Sequence, residues 1–135
     1  MKMLSMAAAL AVAMAVPAAA QDVSTAPPGG DYQKVSELVK LPDFIPGLGD
    51  LYVNPDTLPA GPFLAYDRDG QLVSTIYMVP IADLEEGKTF DDLAVPGGQV
   101  DHVDIYYNAG HPGVEKPHAH VVLWHVDDEA RVAAE

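Results

Sequence analysis

The most regular pattern in this chain is an alternation of period two near its C-terminal end. From Val100 to Tyr107 the odd positions Val103, Ile105 and Tyr107 are apolar, while His102, Asp104 and Tyr106 fill the even ones. From His118 to Val126 the set Ala119, Val121 and Leu123 is uniformly apolar, and His118, His120, Val122 and Trp124 form the other set. A period of two places alternate side chains on opposite faces of a strand. Asn108 to Pro117, with two glycines and two prolines, reads as the connecting loop of an antiparallel hairpin. With the two uniformly apolar sets on one face, the register pairs Tyr106 with His120, Asp104 with Val122, and His102 with Trp124. The odd set is then expected to face the core, and the opposite face to display His102, Asp104, Tyr106, His118 and His120 together.

A second hairpin precedes it. Phe63–Tyr66 and Gln71–Pro80 are aromatic and β-branched, and they flank Asp67-Arg68-Asp69-Gly70, where Gly70 suits the positive φ of a tight turn. The spacing that would make this an EF-hand calcium loop is missing, because Gln71 stands at the next alternate position and no Glu closes the loop. Val35, Leu38 and Val39 recur at helical spacing within 31–40, which predicts a short helix with Asp31 as its N-cap. Residues 41–62 are rich in proline and glycine, so they exclude a long helix and allow one short strand at Leu51–Val53. Residues 81–94 predict one or two helical turns broken at Gly87. These elements define a mainly β domain over 31–135, a single small antiparallel barrel or sandwich with one or two short helices.

Residues 1–20, MKMLSMAAALAVAMAVPAAA, carry one Lys, a run of small apolar residues and an Ala-Ala-Ala end, the pattern of a secretory signal peptide. The expected location is therefore periplasmic or secreted, with 21–30 as a flexible lead-in and no membrane association after cleavage. Losing Lys2 with this segment takes the net charge from −13 to −14. A surface this acidic repels nucleic acid and anionic membranes. Four of the five methionines lie in the first twenty residues and there is no cysteine, which removes methionine-rich copper sites, thiolate metal sites and disulfides. A small exported domain without disulfides is held by its core, by a metal or by self-association, so a homo-oligomer is one expected state.

All five histidines fall on the last hairpin and its flanks. His118 and His120 lie on one side of a strand, about 6.5 Å apart along it, which lets two imidazoles converge on one ion. Asp104 is diagonal to His120, within reach as a ligand or as the acceptor that orients an imidazole. His111, before Pro112, can fold back over His118; Glu115 offers the same; His102 stands further along the strand. His125 belongs to the opposite side and is expected to be a hydrogen-bonded core or interface residue. The candidate metal ligands are therefore His111, His118, His120, Asp104 and His102. Imidazole with carboxylate suits a divalent ion such as Zn, Cu, Ni or Fe.

Gly110-His111-Pro112 followed by Pro117-His118-Ala119-His120 resembles the pattern of the TTHB-like family of uncharacterised secreted bacterial proteins. The likeness spans about residues 60–126, and it implies a β-rich domain that self-associates, with no established reaction. The His-x-His on a strand, with Gly113 upstream, also resembles the first cupin motif. It departs from it because Leu123, Trp124 and His125 stand where a cupin carries its Glu. The leading expectation is an exported protein that binds a divalent metal through a histidine-rich hairpin. The alternatives are a cupin-like metal-dependent enzyme acting on a small molecule and a non-catalytic self-assembling module.

Overall fold

The computed structural model describes residues 22–133. The leader-like residues 1–20 lie outside the described residues. In chain order the elements are β1 (Gln33–Lys34), α1 (Val35–Leu38), β2 (Phe44–Ile45), β3 (Gly49–Val53), β4 (Phe63–Tyr66), β5 (Leu72–Pro80), α2 (Ile81–Glu85), β6 (His102–Asn108) and β7 (His118–Trp124). Short 3-10 turns occupy Pro55–Thr57 and Glu129–Val132. All seven strands belong to one antiparallel sheet of order β1-β3-β4-β5-β7-β6, with β2 also on β3. The fold is mainly β with two short helices, as expected, but the sheet stays open and does not close into a barrel. Among the described residues no helix is long and apolar enough to cross a membrane.

The local signals explain most boundaries. Gly70 adopts φ +75° in the turn between β4 and β5, and the Asp67 side chain accepts from the backbone N–H of Asp69 and Gln71. That reduces the Asp-x-Asp-Gly motif to turn chemistry. The helix expected over 31–40 shrinks to the single turn α1, because Gln33 and Lys34 pair with Val53 and Tyr52 of β3. Its N-cap is Lys34, without a side-chain cap, in place of Asp31. Proline-rich 41–62 yields β2 and β3 in addition to turns. The stretch expected as a flexible lead-in packs on the sheet: Tyr66 Oη–H donates to Val23 C=O at 2.7 Å, and Thr25 bridges Gln71.

Two apolar layers sandwich the sheet. On one face Leu51, Val53, Phe63, Ile76, Met78 and Val122 are at most 2% exposed. Val39, Leu41, Phe44, Ile45 and Leu48, from the segment that crosses this face, pack against them. Each such side chain contributes roughly 1.5–3 kcal/mol relative to exposure. On the other face a smaller cluster of Val23, Leu64 and Tyr66 lies over β3 and β4.

The register of the last hairpin is the one the alternation predicts: Tyr106 pairs with His120, Asp104 with Val122, and His102 with Trp124. Its orientation is reversed. His118, His120, Val122 and Trp124 are buried, whereas Val103, Ile105 and Tyr107 are 48%, 69% and 64% exposed. The even-numbered face is the inner one because β7 pairs with β5 so that Val122 lies opposite Ile76 and His120 opposite Met78. The residues β7 shares a face with on the central strand, not its own composition, determine which side is covered.

Candidate metal centre

The loop between β6 and β7 is built to return a side chain over the sheet. His111-Pro112-Gly113-Val114 forms a tight turn in which Val114 N–H donates to His111 C=O and His111 N–H to Val114 C=O, both at 3.0 Å. Proline at the second position and Gly113 at φ +91° in the third match the requirements of a type II turn. Gly110 makes the return possible. It sits at φ +129°, and a Cβ there would lie 2.2 Å from the carbonyl oxygen of Glu115. Any other residue would force the two arms of the loop apart and carry His111 with them.

The result is three converging imidazoles. His118 Nε2 lies 2.8 Å from His120 Nε2 and 3.2 Å from His111 Nε2. One ligand nitrogen from each of the three falls within 4.8 Å of the other two. Two imidazoles bound to one tetrahedral ion hold their nitrogens about 3.3 Å apart, so the spacing suits a shared ion. His118 is fully buried and His120 is 3% exposed.

The outer nitrogens decide the chemistry of the inner ones. His118 Nδ1 faces Lys116 C=O at 2.7 Å, and His111 Nδ1 faces Pro112 C=O at 3.1 Å. A carbonyl oxygen only accepts, so in each neutral ring the proton sits on Nδ1 and Nε2 carries a bare lone pair. His120 Nδ1 lies 3.2 Å from Tyr106 Oη. If the phenol donates to it, His120 Nε2–H can donate to His118 Nε2. His111 Nε2 then still confronts His118 Nε2 lone pair to lone pair. The arrangement lacks a positive centre, which a proton or a metal cation supplies. Outer-nitrogen bonds to carbonyls are also what orients the rings of metal-ligating histidines.

Burial pushes the His118 imidazolium below the ordinary histidine range. Burial, followed by the neighbouring His118 and His111, pushes His120 down to about 4. Both rings are therefore neutral near pH 7, so a metal displaces no imidazolium proton; His120 presents Nε2 once its single proton moves to Nδ1, where Tyr106 Oη accepts it. Burial also raises the Tyr106 phenol above its usual value, keeping it a hydroxyl.

The structure joins three of the five candidate ligands and separates the other two. His102 Nδ1 meets Asp101 Oδ1 at 2.8 Å and Nε2 meets Glu129 Oε1 at 2.6 Å. These carboxylates, Glu129 first, raise its pKa and favour the imidazolium, in which both nitrogens donate. It stacks on Trp124 with centroids 5.9 Å apart. Asp104 accepts from Trp124 Nε1–H at 2.9 Å and orients the indole, not an imidazole of the cluster. His102, Asp104 and Glu129 do lie within ligand reach of one another. Glu115 is exposed and outside both groups. His125 is hydrogen-bonded as expected, through Nδ1 to Gln99 C=O and through Nε2 to Thr75 Oγ1, each at 2.7 Å.

An apolar cavity adjoins the cluster. His111 and His120 form part of the wall of an apolar cavity of about 200 Å³ between the sheet and the segment from Val35 to Leu48. Its walls come from elements distant in the chain, so no local pattern marks it.

Fold and cluster together define a small single-sheet β domain with an inward-facing group of three histidines beside an apolar cavity. Residues 67–107 match the family model TTHB210-like, described as hypothetical protein TTHB210. The chain is also similar to the crystal structure of hypothetical protein TTHB210 from Thermus thermophilus. The two are 45% identical, with a TM-score of 0.59, over 67% of this chain and 89% of that one. The chain belongs to the TTHB210-like family. No curated protein matches it. Cupins, by contrast, are double-sheet jelly rolls, and this fold has one open sheet.

Proposed function

We propose that the protein is an exported divalent-metal-binding protein whose ligands are the Nε2 atoms of His111, His118 and His120. The observation that carries this reading is the pair of outward hydrogen bonds from Nδ1 of His118 and His111 to backbone carbonyls, which point two bare lone pairs at a common centre. The leader-like residues 1–20 and the absence of cysteine support an oxidising compartment, where imidazole sites persist and thiolate sites do not. Three protein ligands leave a tetrahedral ion one open position, the arrangement of catalytic and transferable metals.

Demetallated protein titrated with Zn(II) in competition with a chromophoric chelator tests the reading. The expected result is one ion per chain, with binding lost in the His118→Ala/His120→Ala double variant and retained in His102→Ala. Equal affinity in the double variant and the wild type would falsify the assignment.

A second reading, compatible with the first, is self-association through β6. This strand ends the sheet and exposes Val103, Ile105 and Tyr107 on its outer face. An apolar edge strand is a template for pairing and for burial against a second copy. Sedimentation velocity is expected to show an oligomer that Ile105→Asp dissociates. A wild-type monomer at 100 μM would remove this reading.

A further inference from the structure

The cavity beside the histidines is almost wholly hydrocarbon. Leu51, Val53, Phe63 and Met78 form its floor, on the inner face of the sheet, and Val39 and Ile45 belong to the segment that roofs it. The polar groups on its wall are Asn108, His111 and His120. Leu38 and Leu58, 36% and 40% exposed, also line it and mark its solvent end. An apolar chamber of this kind, with a few polar groups gathered at one place, has the make-up of a small-molecule site.

From this geometry, and resting on the metal reading above, we infer that the cavity binds a small apolar monocarboxylate whose carboxylate occupies the open position of the ion on His111, His118 and His120. Three considerations select that class. Volume limits the body: a cavity of about 150 Å³ accommodates benzene, so about 200 Å³ holds about eight non-hydrogen atoms. Charge selects the head. The three-histidine group contains no carboxylate, so a divalent ion there keeps both positive charges until an anion joins it in a low-dielectric setting. Position links the two: His111 and His120 belong both to the cluster and to the cavity wall. A carboxylate on the ion therefore directs its tail among Met78, Phe63 and Val53.

Ligand binding is read from the visible absorption of the full chain loaded with Co(II), whose bands report a change in coordination. Hexanoate and benzoate are expected to shift the spectrum. Each buried methylene contributes about fourfold in affinity, so acetate should bind on the order of 100-fold more weakly than hexanoate. Hexanol, with the same tail and a neutral head, should bind at least 10-fold more weakly than hexanoate. Val39→Phe, which narrows the roof, is expected to reduce hexanoate affinity at least 10-fold while Co(II) affinity and the response to acetate stay unchanged. Leu58→Trp at the exposed end is the substitute should Val39→Phe fail to fold. Co(II) binding with equal responses to acetate and hexanoate would overturn the inference and leave the metal site standing. Failure to bind Co(II) at all would overturn both.

Discussion

Two histidines on the same face of one hairpin have opposite fates. His102 and His120 stand on adjacent strands of the same pair. His102, near the rim, lies between Asp101 and Glu129, whose carboxylates raise its pKa and favour the cation. His120, further in along the hairpin, lies against His118 and His111 and is held neutral. The difference comes from what closes over each ring. Carboxylates and water stabilise an imidazolium at one end, while apolar side chains and other imidazoles expel the proton at the other. Neutral, converging rings offer their lone pairs directly to a metal; a ring donating from both nitrogens must first give up a proton.

The largest expected effect that tests this contrast is on metal affinity. His118→Ala should weaken Zn(II) binding by more than about 1,000-fold, and His102→Ala should leave it within twofold, both measured by chelator competition. If the two variants lose affinity equally, the contrast has no bearing on binding. Next is folding stability. Saturation at 100 times the dissociation constant adds about 2.7 kcal/mol, which corresponds to a rise in Tm of about 10 °C for a domain of this size. Differential scanning calorimetry should show that rise in the wild type and in His102→Ala, and no rise in His118→Ala.

Acid is expected to separate the two regions without any substitution. Between the ordinary histidine value near 6.5 and about 4, the unfolded chain takes up a proton on His120 that the folded chain refuses. Metal-free protein should therefore have its full stability above pH 6.5 and lose up to about 3 kcal/mol as pH falls toward 4. His102 runs the other way. Its stabilisation is present below pH 6.5 and fades as pH rises through its elevated folded value. Urea denaturation across pH 4–8 measures the sum, and repeating it on His102→Gln isolates the slope due to the buried rings. A flat profile in that variant would argue against neutral, buried imidazoles. Tyr106→Phe should have a smaller effect, reducing Zn(II) affinity about 10-fold by removing the hydroxyl that orients His120. His102→Gln should be smallest of all, moving Tm by less than about 2 °C.

Much of this architecture can be read from neighbouring residues. The two hairpins, the turn at Gly70 and the pairing of Tyr106 with His120 all follow from alternation and turn chemistry, which act over a few residues. His111, His118 and His120 were recognisable as a group because the Pro-Gly turn and the His-x-His repeat are local too. Three outcomes were not legible. Residues 33–34 form a strand because β3 offers them an edge, and residues 22–26 pack because Tyr66 and Gln71 receive them. Asp104 serves Trp124: the register sets His120 and Trp124 equally diagonal to it on the adjacent strand, and only the packed side chains choose between them.

The orientation of the last hairpin separates most clearly what each level of structure determines. By itself the sequence determined which side chains of β6 and β7 share a face, since a period of two is a property of any extended strand. Its uniformly apolar odd set pointed to the wrong face as the covered one, because composition within the hairpin does not decide which side the rest of the chain packs against. That choice was made by tertiary structure. β7 pairs with β5 so that His120 and Val122 join Met78 and Ile76, and the segment from Val35 to Leu48 then crosses this side and encloses the cavity. Burial by distant segments turned two surface-type histidines, His118 and His120, into neutral rings beside His111, and left Val103, Ile105 and Tyr107 facing solvent.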